Sequence, residues 1–265
     1  MKQLLLIVLI FVAGACATVP LTGRKQITAI PSNEIIALSN DSYQQVLSES
    51  KLSSNSQQSE AVKRVGLRIS KAVEHYMRSQ NLSDRLDGYA WEFNLIEGEQ
   101  LNAWCMPGGK IVFYEGIMPV CLNDNGIAVV MAHEISHALA QHGNERMSQQ
   151  LALQLGGMAL SEALAQQKET TQQLAMAAFG LGSQVGIMLP YSRKHEVEAD
   201  ELGLYFMAMA GYDPREAPAF WERMLQAGSS NVPEFLSTHP QPENRIANMN
   251  KAMDKAMEFY IESQQ

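Results

Sequence analysis

The residues best suited by type and spacing to do chemistry in this chain are His133-Glu134-Ile135-Ser136-His137. On an α-helix a spacing of four is a turn of about 400°, so the two imidazoles fall within about 40° of each other, one turn apart. Two imidazoles so placed can grip one ion, and zinc is the ion that suits them. Glu134 is rotated by about 100°, near enough to reach a water on that ion and too far round to be an equal ligand, so it reads as a general base. The surroundings favour a helix: Asn123 or Asp124 is placed to cap it, Ile127, Val130, Met131 and Ala138 give it an apolar face, and Gly143 is placed to close it. The pentapeptide alone also fits a surface helix with two spare histidines, so the remaining ligands decide its meaning.

A catalytic zinc takes three protein ligands and leaves one position for water. A continuation with Gly at 140 and His at 143 would supply a third histidine, but the chain has Ala140 and Gly143. His142 stands five residues past His137, about 140° round, and on an unbroken helix it cannot reach the same ion. It is expected at the surface or as a cap. A carboxylate from a later helix remains, and Ser192-Arg193-Lys194-His195-Glu196-Val197-Glu198-Ala199-Asp200 offers several. Read by itself, this run of acids is a solvated helix face.

H-E-x-x-H followed by S-R-x-x-E-x-x-A-D resembles the HtpX and CAAX-prenyl-protease group of gluzincin metallopeptidases, the M-forty-eight peptidase family. The resemblance implies one Zn2+ per chain held by His133, His137 and Glu196, with His195 a departure from the pattern. It also implies that Asp200 orients a ligand histidine by accepting its other N–H, while Glu198 points elsewhere. Asn102-Ala103-Trp104-Cys105-Met106-Pro107-Gly108-Gly109-Lys110-Ile111 resembles the family's N-A-x-x-x-P-G-G-x-I element, an edge strand where Asn102 and Ala103 would receive an extended substrate. Ser237-Thr238-His239-Pro240 with Arg245-Ile246 resembles the later T-H-P-x-x-x-x-R-I element. It implies that His239 faces the zinc, either holding the transition-state oxyanion or capping the open position at rest. The match covers about Ala61 to Met257 and implies an α+β, mostly helical, zincin-like fold with a small antiparallel sheet beside the active-site helix.

The elements that must position these residues are legible in outline. A helix is expected from Ser32 to about Ser50 and another from about Ser59 to Ser79, where Val62, Val65, Ile69, Val73 and Tyr76 keep three-to-four spacing. Trp91, Phe93 and Leu95 alternate with Glu92 and Asn94, the period of a half-buried strand over Ala90 to Ile96. Two further strands are expected at Gln100 to Cys105 and Lys110 to Tyr114, turned by Pro107, Gly108 and Gly109. From Asn123 onward the chain reads as helical, with breaks at Gly143, near Pro190, at Gly211 to Pro214, and around Pro233 to Pro242. Leu151 to Leu189 reads as two helices over the cleft, a lid, a surface for membrane or partner, or plain core packing. HtpX itself carries transmembrane helices, whereas here no clean apolar run of about 20 residues is expected.

The start of the chain speaks to location. Lys2 and Gln3, an apolar run from Leu4 to Ala13, then Gly14, Ala15 and Cys16 have the shape of a secretory signal. Small residues before Cys16 resemble the bacterial lipobox, with Ala13 departing from its usual leucine, so Cys16 is the expected lipidation site at the head of a flexible polar tail. Ala17 is not the aspartate of inner-membrane retention, which favours the periplasmic face of the outer membrane over the soluble periplasm. Cys16 to Arg24 is also similar to the start of the family's lipoprotein branch, the LoiP-like group. Residues 1–15 are then signal peptide, 16–55 tether and first helix, and 56–263 the metallopeptidase domain. Cys105 and Cys121 would be an even pair in an oxidising compartment, either bridged or buried apart.

With 20 basic against 28 acidic side chains the net charge is −8, which offers no footprint for nucleic acid. The resemblance, with the signal-like start, implies a zinc-dependent endopeptidase acting on misfolded or misassembled envelope proteins, held to the membrane by a lipid anchor. A periplasmic chaperone or assembly factor that keeps a zinc site is the alternative, and a zinc hydrolase of non-peptide bonds stays open.

Overall fold

The computed structural model describes residues 16–227, 235, 239 and 244–265. The signal segment and the Gly228 to Pro233 stretch lie outside the described residues, as do Ser237, Thr238 and Pro240 of the later motif. A two-stranded antiparallel ribbon, β1 (Cys16–Thr18) and β2 (Lys25–Ile27), precedes two helices, α1 (Ser32–Glu49) and α2 (Ser56–Ser79). A three-stranded sheet follows, β3 (Glu92–Ile96), β4 (Ala103–Met106) and β5 (Lys110–Tyr114). The rest is helical: α3 (Met118–Cys121), α4 (Asp124–Leu139), α5 (His142–Ala163), α6 (Glu169–Ser183), α7 (Leu189–Met209), α8 (Glu216–Ala227) and α9 (Arg245–Ser263).

The α4 helix carries the H-E-x-x-H sequence and is buried almost all round, packed against α2, α7 and β4. Such a helix needs its own ends satisfied. Asn123 does this at the N-terminus, its side chain accepting from the Asn125 and Gly126 N–H groups at 2.9 and 3.3 Å. Asp124, the other candidate cap, instead pairs with Arg64 at 2.8 Å. Val62, Val65, Ile69 and Val73 of α2 are fully buried in one continuous core with Ile111 and Phe113 of β5 and with Met131 and Ile135 of α4. That core fixes α4 against both the sheet and α7.

The sheet is mixed where an antiparallel one was expected. Its order is β3-β5-β4, with β4 antiparallel to β5 through the Gly108-Gly109 turn, both glycines at positive φ, and β3 parallel to β5. Period-two alternation reports which side chains share a face and is silent on the partner strand, which is why order escaped the sequence. The second strand also begins later than expected, at Ala103.

Other expectations change as well. The tail after Cys16 is folded, with Val19 in the main core and Gln26 buried. Pro190 does not break its helix: a π turn at Gln184–Met188 leads straight into α7, and Glu169–Met209 is one continuous helical stretch. By length and composition this stretch is apolar enough to cross a membrane, with a mean hydropathy of 1.3 over a window that is not buried, contrary to the reading from sequence. Residues 151–189 are not packed as core: only Gly157 among them is buried. Not one α6 residue is buried, and among the described residues none from 151–189 lines the cleft beside α4. Cys105 and Cys121 are free thiols rather than a bridge.

Candidate metal centre

Four side chains from three elements converge at the C-terminal half of α4. His133 Nε2 and His137 Nε2 are 3.1 Å apart, as a four-residue spacing on one helix demands. The Glu196 carboxylate of α7 lies 3.4 Å from each of them. His239 completes the group, its Nδ1 3.2 Å from both Glu196 oxygens and 3.4 Å from His133 Nε2. Four donors about 2.0 to 2.1 Å from a tetrahedral zinc stand about 3.3 to 3.4 Å from one another. The separations given above, 3.1 to 3.4 Å, are close to that figure, and the mixed imidazole and carboxylate set is one zinc accepts. Glu196 is fully buried and His133 nearly so, so the carboxylate needs cationic company there.

The charges around the group follow from burial and proximity. Burial would lift the Glu196 carboxyl, but the surrounding His137, His133 and His239 hold it well below the usual carboxylate range. Burial pushes His137 down to about 3. His133 resists the same burial because the Asp200 and Glu196 carboxylates lie 3.0 and 3.4 Å from its two ring nitrogens, and its pKa rises to about 9. Glu134 carries no ligand atom in the group. Its carboxyl is raised by burial, and one oxygen has no hydrogen-bond partner, with His239 Nε2 3.5 Å away. An unpartnered buried carboxylate oxygen facing a cleft is the arrangement a general base requires.

Each ligand is held from behind. His133 Nδ1 lies 3.0 Å from Asp200 Oδ1, and Arg245 Nη2 donates to that same oxygen at 2.6 Å. The Arg245 guanidinium sits 3.2 Å above the centre of the Trp221 ring, which explains why an arginine starts α9 at this point. His239 is stacked on Phe235, ring centres 4.3 Å apart.

The structure moves three residues from their expected places. His142 is buried, with its Nδ1 2.8 Å from His137 Nδ1. Helical geometry failed here because the helix does not continue: α4 ends at Leu139, Gln141 takes a left-handed φ of 54°, and α5 starts in a new direction. Gly143, expected to close the helix, lies inside α5 with open space around it. Glu198 does not face solvent either; it accepts from His142 Nε2 at 2.9 Å and from Arg24 Nε at 2.8 Å. His195, outside the ligand group, stacks on His142 and pairs with Glu145 at 2.9 Å.

The cleft beside the group has Glu134, His137 and His239 on one wall and Trp104, Cys105 and Pro107 of β4 and its turn on another. The free edge of β4 therefore borders the site, as an extended ligand would need. Of the two positions expected to receive substrate, Asn102 and Ala103 are both buried, and the Ala103 N–H already donates to Asn102 Oδ1 at 2.9 Å.

The profile of Peptidase family M48 matches residues 64–253, which contain both halves of the ligand set carried by α4 and α7. The chain belongs to this family. Among its relatives is the mitochondrial metalloendopeptidase OMA1 of Saccharomyces cerevisiae, 37% identical over 67% of this chain and 51% of its own length. The OMA1 of Schizosaccharomyces pombe is 29% identical over 90% of this chain and 66% of its own. The beta-barrel assembly-enhancing protease of Escherichia coli is 31% identical over 65% of this chain and 36% of its own. The chain thus spans about half the length of the curated relatives it matches. Metallopeptidases of this family depend on zinc, which agrees with the donor set found here.

Proposed function

We propose that this chain is a zinc-dependent endopeptidase of the bacterial cell envelope, with His133, His137 and Glu196 holding the ion and Glu134 acting as base. The observation that carries the reading is the unpartnered, buried Glu134 oxygen beside a cluster of four potential metal ligands. Zinc bound there would lower the pKa of a coordinated water to about 7 and polarise a carbonyl oxygen. Glu134 takes the proton of the attacking water and hands it to the leaving amine, and its raised carboxyl pKa suits both halves of that transfer. Asp200 keeps the His133 ring in place, and Arg245 keeps Asp200 in place. With the ion bound, His239 would supply a fourth ligand at rest, a role its Nδ1 distances support over that of an oxyanion donor.

Substrate is a chain in extended form laid along β4. The name of the Escherichia coli relative supports protein targets in the envelope. The signal-like start and Cys16 favour a lipid anchor at the periplasmic face of the outer membrane, with misfolded or misassembled envelope proteins as targets. The test is unfolded casein with zinc-loaded protein beside Glu134→Gln. Cleavage by the first alone supports the peptidase; cleavage by both or by neither overturns it and leaves a zinc-bearing chaperone as the reading.

A further inference from the structure

The ribbon that opens the mature chain reaches the metal site through a row of polar side chains. Arg24, in the turn between β1 and β2, grips Glu145 with two N–H groups at 2.8 and 3.1 Å and donates Nε to Glu198 Oε2 at 2.8 Å. Thr22 donates its hydroxyl to the other Glu198 oxygen. Glu198 Oε2 lies 2.9 Å from His142 Nε2, and His142 Nδ1 lies 2.8 Å from His137 Nδ1. Glu198 and His142 are buried, as is Glu145.

With a neutral His142, hydrogen-bond direction along this row has one solution. The carboxylate of Glu198 only accepts, so His142 carries its hydrogen on Nε2 and presents a bare Nδ1. A bare Nδ1 accepts, so His137 carries its hydrogen on Nδ1. That leaves the lone pair of His137 on Nε2, the atom aimed at Glu196 and His133. A ligand histidine must offer its lone pair to the metal, and the group behind it usually sets which nitrogen does so. For His133 that group is Asp200 directly; for His137 it is a carboxylate acting through an interposed imidazole.

We infer that Arg24, Glu198 and His142 form a positioning chain for His137, so that the segment just after Cys16 is a working part of the metal site and not only a tether. The inference rests on the zinc reading above and reaches beyond it, since neither the motif nor the ligand set requires anything of residues 16–27. It assigns no proton transfer to the chain. Its role is to fix one tautomer and one ring orientation before the ion arrives, which lowers the cost of binding.

The test measures metal affinity, by chelator competition on purified full-length protein, in His142→Ala, His142→Asn and Arg24→Ala. Loss of an orienting partner typically weakens metal binding about 10-fold to 100-fold, and His142→Ala is expected in that range. His142→Asn keeps an acceptor for His137 Nδ1–H and should recover most of the affinity, a rescue that a space-filling role would not give. Arg24→Ala should weaken binding by a smaller factor and shift the visible absorption of the cobalt(II)-substituted protein. A dissociation constant within about twofold of wild type in a folded His142→Ala protein overturns the chain. If His142→Ala does not fold, an unchanged affinity and cobalt spectrum in Arg24→Ala overturn it instead. Neither readout uses catalysis, so a protein that binds zinc in this way yet cleaves nothing would sink the peptidase reading and leave the positioning chain standing.

Discussion

His239 Nδ1 stands 3.2 Å from each oxygen of the Glu196 carboxylate, so a residue far along the chain takes the place of a fourth donor. On the proposed reading, the position that substrate or water must use is filled by the protein at rest. Replacing His239 by alanine should therefore raise casein cleavage, or self-cleavage, at equal zinc occupancy. Were His239 an oxyanion donor, turnover would instead fall about 100-fold to 1000-fold with zinc content unchanged.

Glu134 and Glu196 should separate cleanly in metal analysis. Glu134→Gln keeps zinc and loses about 100-fold to 10,000-fold in turnover, the usual worth of a general base. Glu196→Ala loses zinc and activity together, as do His133→Ala and His137→Ala. A zinc-replete Glu196→Ala protein would refute the ligand assignment.

The stability of the metal-free protein should depend on pH from both sides. The His133 pKa, raised to about 9, contributes stability that is complete below its unfolded value near 6.5 and fades as pH climbs through 9. The Glu196 pKa is depressed, so its contribution is present above about 4.5 and fades as pH falls through the folded value. His137, pushed down to about 3, works the other way: below about pH 6.5 the unfolded chain takes up a proton that the folded site does not, so stability falls as pH drops. Denaturant melts in chelator should therefore show a maximum near pH 6.5. Zinc displaces the proton on His133, so calorimetry at pH 7 in buffers of different ionisation heat should find proton release on binding.

Gly203 lies where α7 crosses α4. A Cβ there would come within 3.2 Å of the His133 backbone nitrogen, so Gly203→Ala must spread the helices that carry the two halves of the site. A loss of about 1 to 3 kcal/mol in denaturant melts, with weaker zinc binding, is expected. Unchanged melts and affinity would show that the crossing yields without cost.

Cys16→Ser should move the protein from the membrane fraction to the soluble periplasm if acylation holds it there. Retention on membranes would shift attention to the α5–α6 arm, where Leu155, Met158, Leu174 and Leu181 are all more than half exposed.

Much of the site could be read before the fold was known, because its central geometry is local. His133 and His137 meet through one helical turn, and Glu134 is placed by the same periodicity. Glu196, Asp200 and His239 came from resemblance alone, since nothing in their spacing says which helix they face. What escaped was decided by single backbone events. A left-handed Gln141 turned His142 inward, and a parallel pairing of β3 with β5 reordered the sheet. The buried partners of His142 and His195 were unreadable for a related reason. Glu198 and Glu145 look like solvated helix acids until Arg24, more than a hundred residues earlier, arrives to pair with both.

The α5–α6 arm also bears on how the chain can be cut. The backbone leaves the metal site at His137 and returns at Glu196, and between them runs a projecting arm whose tip is Leu164 to Lys168. A nick at that tip would yield two fragments, one with the histidine pair and one with Glu196 and His239. The broad contact of α4 with α7, and an ion held jointly, would keep them together. A clipped species on a denaturing gel would then be a two-chain enzyme rather than a dead one, and the tip is the natural place to divide the gene for fragment complementation.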